Sequence, residues 1–259
     1  MRFIITGAAS GIGRACAELL CDGRTLPGQH QMLLSDRDAD NLAKVTEQIG
    51  DRAASEVVDL SEPDCGERIV SAAVRHMGGI DAVISNAGII MGGALVDLAP
   101  EQFDTIYAIN TRATWSIAKA AHPYLRDSQG AFVATASISA TQPTPALGFY
   151  SSSKAALLML VRQMALEWGP DRIRCNTVSP GPTYTPMTKA GYDDGERRRQ
   201  REANIPLGKL GVAEDVASAI LFLCSPQAGH INGIDVLVDG GMSNMLMPAT
   251  GSGTGQAPR

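Results

Sequence analysis

The sequence is poor in the residue types that most often mark a metal centre, a disulfide scaffold or a membrane span. Aromatic residues make up only 5% of the 259 positions, and the four histidines, His30, His76, His122 and His230, are dispersed. None pairs at a ligand spacing, so no metal is expected. The five cysteines, Cys16, Cys21, Cys65, Cys175 and Cys224, are odd in number and scattered. That argues against a disulfide framework or zinc, and reads as reduced thiols of a cytoplasmic protein. No apolar run approaches the roughly 18 residues of a spanning helix, so no membrane partner is expected. The chain opens directly on a strand-like run, Arg2–Thr6, so no secretory leader is expected. Positive charge is not in excess: 22 Lys and Arg against 27 Asp and Glu leave a net charge of −5. Nucleic acid is therefore not an expected partner. Gly-x-Ser-x-Gly is missing, which leaves a hydrolase elbow unsupported.

What is present is alternation. Apolar, strand-like runs occur at Arg2–Thr6, Gln31–Ser35, Ser55–Val58, Ile80–Ser85, Gly130–Thr135, Ile173–Val178 and Asp235–Val238. Most are continuous rather than polar on alternate residues, as strands buried on both faces are. Helical patterns near 12–21, 38–49, 63–77, 100–125, 150–168 and 213–224 separate them. Pro100-Glu101 suits a first helical turn, and Gly169-Pro170 and Ser225-Pro226 suit helix ends. The expected fold class is α/β, a doubly wound, seven-stranded parallel sheet with helices on both faces. One domain over 1–249 is expected, with no separating linker. Residues 22–30 read as a long turn. Residues 180–206 have little core character, and 185–206 read as a lid. The Gly-, Ser- and Pro-rich tail 250–259 reads as flexible.

The first strand leads straight into Thr6-Gly7-Ala8-Ala9-Ser10-Gly11-Ile12-Gly13. Between a strand and a helix, such glycines make the tight turn, admit a pyrophosphate to the backbone and let helix approach strand. The helix N-terminus behind them favours the anion. Gly7, Ser10, Gly11, Ile12 and Gly13 are thus candidates for dinucleotide binding. Asp36 ends the second strand about 20 residues later, where a carboxylate accepts hydrogen bonds from a ribose diol and repels a 2′-phosphate. With no basic residue at Ser10, NAD is expected and NADP is less favoured. Arg37, beside the adenine position, keeps NADP open.

Beyond this loop the chain, from Thr6 to about Gly241, resembles the classical short-chain dehydrogenase/reductase family, a Rossmann-fold family. The loop has its TGxxxGxG spacing. Asp59-Leu60 resembles its adenine-contacting pair. Ser85-Asn86-Ala87-Gly88 resembles its NNAG element, with Ser replacing the first Asn. Asn110, Ser137, Tyr150 and Lys154 match its catalytic tetrad, with Tyr150-Ser-Ser-Ser-Lys154 as YxxxK. Pro180-Gly181-Pro182-Thr183 resembles the segment that holds the nicotinamide end, to which Thr185 is added. Val238-Asp239-Gly240-Gly241 resembles the family's last strand. The ending, through Met242–Met247 and Pro248, more faintly resembles bacterial hydroxysteroid dehydrogenases. The resemblance also implies a homotetramer or homodimer, a main-chain water at Asn110 that relays protons, and a Lys154 contact with the nicotinamide ribose.

The implied activity is hydride transfer between a nicotinamide and a secondary alcohol or ketone. Tyr150 and Lys154, four residues apart at the start of a helix, share a face. The ammonium, with the oxidised nicotinamide as a second positive charge, is expected to draw the phenol about two to three units below its usual value of about 10. Ser137, at the carboxyl edge of the sheet, would orient the substrate oxygen. Ser139, Gln142, Phe149 and Met187 are candidate substrate contacts beside Ile89, Ile90, Met91, Ala140, Thr141, Pro182 and Thr188. This mainly apolar set points to a steroid-like, alicyclic or aryl alcohol. The cluster Arg197, Arg198, Arg199 and Arg201 reads as a solvated helix face or as a contact for an acidic substrate group. Two alternatives remain: an NADPH-dependent ketoreductase, for instance on acyl thioesters, and a non-catalytic dinucleotide sensor on the same fold.

Overall fold

The computed structural model describes residues 1–23 and 25–245. The expected flexible tail, the 249 boundary and the end of the Met-rich segment lie outside them. Seven strands form one parallel sheet: β1 (Arg2–Thr6), β2 (Gln31–Asp36), β3 (Ala53–Val57), β4 (Ala82–Ser85), β5 (Ala131–Thr135), β6 (Arg174–Pro180) and β9 (Asp235–Val238), in the order β3-β2-β1-β4-β5-β6-β9. The chain winds outward from β1 in both directions, so the order reverses between β1 and β4. A crevice opens at such a point beyond the carboxyl ends of the strands.

Alternation along each strand builds the two layers. Phe3, Ile5, Leu34, Val133 and Val178 face one core, with Ala17 and Leu20 of α1 (Gly11–Asp22), Leu42 of α2 (Ala39–Ile49) and Leu221 of α8 (Ala213–Cys224). Ile4, Leu33, Val83, Phe132 and Cys175 face the other, with Ile69 of α3 (Cys65–Met77), Ile117 of α5 (Ala113–Ser128) and Leu157 of α6 (Tyr150–Glu167). Burial on both faces explains the unbroken apolar runs. All five cysteines are unpaired, and burial pushes the Cys175 and Cys224 thiols up to about 12. Among the described residues no helix is long and apolar enough to cross a membrane.

Two regions depart from expectation. The stretch 100–125 is not one regular helix. It is α4 (Pro100–Tyr107), a π-helical turn over Ala108–Arg112, then α5. The extra residue of a π turn swings what it carries away from the regular face. The irregular stretch 180–206 contains β7 (Thr183–Tyr184) and α7 (Gly195–Ala203). β7 pairs with β8 (Gly211–Val212), Thr183 opposite Gly211 and Tyr184 opposite Val212, which ties down the start of the segment expected to be a lid.

Candidate active site

At the end of β1, the Thr6 hydroxyl accepts the Asn86 and Ala87 N–H groups at 3.0 and 3.1 Å. The Asn86 amide donates to the Thr6 carbonyl at 3.2 Å and accepts from the Thr135 hydroxyl at 3.0 Å. Asn86 thereby stitches β1, β4 and β5 together at the crevice. Gly7 has φ +67°, and a Cβ on Gly13 would overlap the Gly7 carbonyl and lie 2.8 Å from Asn86 Nδ2. Only glycine lets α1 start this close. Ser10 precedes α1 in extended backbone and makes no side-chain cap, so the first-turn N–H groups stay available to an anion. Above the loop, Thr185 and Pro186 come nearest to Gly11. Ile12 is half-buried against the core.

Asp36 points into this loop. Its carboxylate accepts the Ala9 N–H at 3.0 Å and the Asp38 N–H at 3.1 Å. Arg37 is exposed, and its charge helps hold the Asp59 carboxyl below the usual range after the larger effect of hydrogen bonds from Ser61. Leu60 packs on the α3–α5 layer. On the far wall, the Gly181 N–H donates to Val238 O at 2.9 Å, and a Cβ there would lie 2.6 Å from that of Asp239. The Thr183 hydroxyl donates to the Gly181 carbonyl at 3.0 Å. Gly88 leaves room beside Asn110 and Lys154, for its Cβ would stand 3.1 Å from Asn110 Oδ1 and 3.2 Å from Lys154 Nζ.

All four expected catalytic residues meet at the carboxyl end of β5. Asn110 sits buried in the π turn. Its side chain accepts the Ile89 N–H at 2.9 Å and donates to Ile89 O at 3.1 Å and Ser153 Oγ at 3.0 Å. Ser137 follows β5, and its Oγ accepts the Ser139 N–H at 3.1 Å. Tyr150 opens α6, half-buried, with its phenol near enough to the Ser137 hydroxyl for that group to lower its acidity value. Lys154 is buried one turn on, with Nζ donating to Thr135 O at 2.8 Å and 5.9 Å from the centre of the Tyr150 ring.

The acidities correct one expectation. Burial raises the Tyr150 phenol above its ordinary value, and the Ser137 hydrogen bond opposes it only in part. The ammonium is directed at the Thr135 carbonyl and is itself discouraged by burial. Lys154 is lowered to about 8.

A family model described as enoyl-(acyl carrier protein) reductase matches residues 7–243. The chain belongs to the short-chain dehydrogenase/reductase family. It is 35% identical over 243 residues to an L-rhamnose 1-dehydrogenase (NAD(P)(+)) of Azotobacter vinelandii, covering 92% of this chain and 95% of that one. It is 33% identical over 250 residues to the 2,3-dihydro-2,3-dihydroxybenzoate dehydrogenase of Bacillus subtilis, covering 92% and 94%. A crystal structure of a 3-ketoacyl-(acyl-carrier-protein) reductase from Brucella melitensis complexed with NADH superimposes with a TM-score of 0.85. It shares 30% identity and covers 93% of this chain and 97% of that one. The protein is thus a short-chain dehydrogenase/reductase oxidoreductase.

The residues expected to contact substrate lie among more polar groups than the sequence suggests. Ser139 is buried, and its hydroxyl pairs with Thr144 Oγ1 at 2.8 Å. The Thr144 N–H donates to Ser151 Oγ at 3.2 Å. Gln142 stands exposed at the rim, and Met187 is 55% exposed on the lid. The Phe149 ring packs edge-on against Phe103 of α4, centroids 5.1 Å apart. Sequence reasoning missed Thr144 and Ser153. Ser153 sits inside YxxxK and was open to notice; Thr144 carries no motif. On the lid, Arg198 and Arg199 pair with Glu202 and Glu196 at 2.9 and 2.7 Å, and Arg197 lies 3.8 Å from Asp194, the arrangement of a solvated helix face. A cleft of about 820 Å³ lies at the opposite edge of the sheet, lined by Arg172, Arg174 and His230 among others. It contains none of the four catalytic candidates, and its Arg174 guanidinium binds the last carbonyls of α8, Leu223 at 2.7 Å and Ser225 at 3.1 Å.

Proposed function

We propose that this protein is an NAD-dependent dehydrogenase of a secondary alcohol, with Tyr150 as the general base. The observation that carries the reading is the convergence of Ser137, Tyr150, Lys154 and Asn110 at one strand end, beside a loop whose glycines clear room for a dinucleotide. Bound NAD would supply the hydride acceptor. Gly7, Ser10, Gly11, Ile12 and Gly13 would hold its phosphates. Asp36, Arg37, Asp59 and Leu60 would lie along the adenosine, and Asn86, Ala87, Gly88, Pro180, Gly181, Thr183 and Thr185 along the nicotinamide end. Ser137 Oγ holds the substrate oxygen, the Tyr150 phenolate takes the hydroxyl proton, and Lys154 passes charge toward solvent past Asn110.

Burial raises the Tyr150 phenol and, separately, lowers Lys154 to about 8. Alcohol oxidation needs the phenol proton gone, so kcat/KM for oxidation is expected to keep climbing with pH past the ordinary phenol value of about 10.

The Asp36 carboxylate supports NAD over NADP, since it is anchored by two N–H groups beside the loop and cannot swing away from a 2′-phosphate. Replacing it by Ala is expected to shift the NAD-to-NADP preference about 10- to 100-fold toward NADP, read as the ratio of kcat/KM values. An unchanged ratio would remove Asp36 as the selector.

The apolar share of the lining, Met91, Phe149 and Met187, supports a bulky alicyclic, aryl or steroid-like alcohol. A second reading, a cyclic polyol, is favoured by the buried Ser139–Thr144 hydroxyl pair, and two relatives are named for a sugar and a dihydrodiol. The deciding experiment follows NADH formation with steroid, alicyclic, aryl and sugar alcohols, and NADPH consumption with an acetoacetyl thioester. Tyr150→Phe should lower turnover about 10²- to 10⁴-fold without loss of NADH binding. A wild type that binds NADH and turns over nothing would favour the sensor alternative. Exposed Phe103, Trp115, Met159 and Leu166 on α4–α6 support a homotetramer or homodimer, measurable by light scattering. The unpaired thiols support a cytoplasmic setting.

A further inference from the structure

We infer that the segments Ile89–Leu98 and Thr144–Phe149 form a main-chain clasp that sets the position of Tyr150, with Leu98, Ala146 and Gly148 as positioning residues. The inference rests on the reading of Tyr150 as the acid–base group. It starts from one bridge between the two segments: the Gly93 N–H donates to the Ala146 carbonyl at 3.0 Å, and Gly93 pairs with Leu147 in parallel fashion. The Leu147 carbonyl then accepts the Tyr150 N–H at 3.1 Å, so the bridge leads directly into the first turn of α6.

The clasp is held under strain. Ala146 has φ +65°, a left-handed conformation that an L-residue with a Cβ adopts only when its surroundings impose it. Gly148 has φ +56°, and a Cβ there would stand 2.5 Å from Met91 O and 2.8 Å from Leu98 Cδ1. A Cβ on Gly93 would stand 2.7 Å from Leu98 Cδ2. The Leu98 side chain is therefore wedged between the two glycines and closes one segment on the other. The Ile89 end of the same segment takes both ends of the Asn110 side chain. One stretch of chain thus fixes Asn110 and the Tyr150 turn together.

The other side of the phenol has its own tie, made of hydroxyls. Ser137 Oγ accepts the Ser139 N–H, Ser139 Oγ pairs with Thr144 Oγ1, and the Thr144 N–H donates to Ser151 Oγ, at 3.1, 2.8 and 3.2 Å. Between the two ties the phenol has little freedom to leave Ser137. Displacement of a reacting group by about an ångström is enough to cost of the order of 100-fold in rate.

The test compares Leu98→Ala and Gly148→Ala with Leu125→Ala, a buried residue of α5 outside both segments. Two readouts are taken on the full-length protein. Amide hydrogen exchange over residues 146–151 is expected to quicken at least about tenfold in the two clasp variants and to follow global stability in Leu125→Ala. With a turned-over alcohol, kcat is expected to fall about tenfold or more while KM for NAD and for the alcohol moves less than about threefold. Exchange and kcat that merely track melting temperature, as in Leu125→Ala, would overturn the clasp. Should Gly148→Ala fail to fold, Leu98→Ala decides, since it adds no backbone strain. A wild type without turnover would sink the functional reading, and the exchange readout alone would then decide whether the clasp holds Tyr150.

Discussion

The two banks of the crevice are built by different physics. Around the glycine loop, nearly every contact has main chain on at least one side. Gly13 lies so close to Gly7 that no Cβ fits, the Asp36 carboxylate is locked by two N–H groups, and Asn86 bonds to two other strand ends. Along the helix over Gly195–Ala203, side chain meets side chain. The lid helix α7 has no buried residue, and its order comes from a cap and from ion pairs within the helix. Ion pairs this exposed are weak and screened by salt. The lesson is one of tolerance. A contact closer than van der Waals distance admits one residue type, whereas an exposed polar pair can be replaced by many others.

The sharpest test of that contrast crosses both banks at Lys154. Lys154→Met is expected to lower kcat about 10³-fold, because the charge beside the phenol and its proton route are lost together. Stability should move the other way. The folded-state value of about 8 lies below the ordinary lysine value of 10.5, so the buried ammonium destabilises the fold most fully below about pH 8. At 1.36 kcal/mol per unit the burden is roughly 3 kcal/mol. An orphaned Thr135 carbonyl would return about 1–2 kcal/mol of it. Lys154→Met should therefore melt higher than wild type at neutral pH, by about 1–2 kcal/mol. The gap should close as pH climbs from about 8 to 10.5. Equal melting at every pH would mean that the ammonium is not the cost of this site.

Next in size is a pair of glycine replacements, one on each bank. Gly13→Ala must displace the backbone of the phosphate loop, so NADH affinity is expected to fall about 100-fold. Gly195→Ala, at the start of α7, meets nothing nearer than Arg199 Nη1 at 4.0 Å and should leave binding and turnover as they are. Fluorescence titration with NADH reads both. Similar losses in the two variants would erase the distinction drawn here.

The same contrast explains what could be read in advance. The five inner strands β1, β2, β4, β5 and β6 were visible because burial on both faces leaves unbroken apolar runs. The glycine loop and the four residues Asn110, Ser137, Tyr150 and Lys154 were visible because their spacing is rigid. The π turn was not, since Pro100 through Leu125 keep helical periodicity and one added residue leaves no mark in composition. Helix α7 was read only as a solvated helix face at Arg197–Arg201, without bounds, because a segment polar on every side has no apolar stripe to delimit it. The Ser139–Thr144–Ser151 chain was hidden for another reason: Ser and Thr bond to whatever folding brings near. The acidity of the phenol was misjudged because spacing places Lys154 near Tyr150 but does not show that its ammonium is aimed at the Thr135 carbonyl.

The smallest expected effect lies on the lid. Asp194 caps α7, its carboxylate accepting the Glu196 and Arg197 N–H groups at 2.9 and 3.2 Å. Those bonds hold the carboxyl below its usual range, so the cap is complete above that range and fails as the carboxyl is protonated. Asp194→Ala removes the cap from a helix that has no buried face to compensate, and α7 should fray from its first turn. The four catalytic candidates and the glycine loop lie on other elements, so kcat and NADH affinity should hold. The alcohol KM is expected to rise about two- to fivefold, as lid closure becomes less favourable. Added salt should raise the wild-type KM in the same direction, since it screens the Arg198–Glu202 and Arg199–Glu196 pairs that also order the helix. A KM indifferent to both the substitution and salt would show that α7 does not cover the substrate.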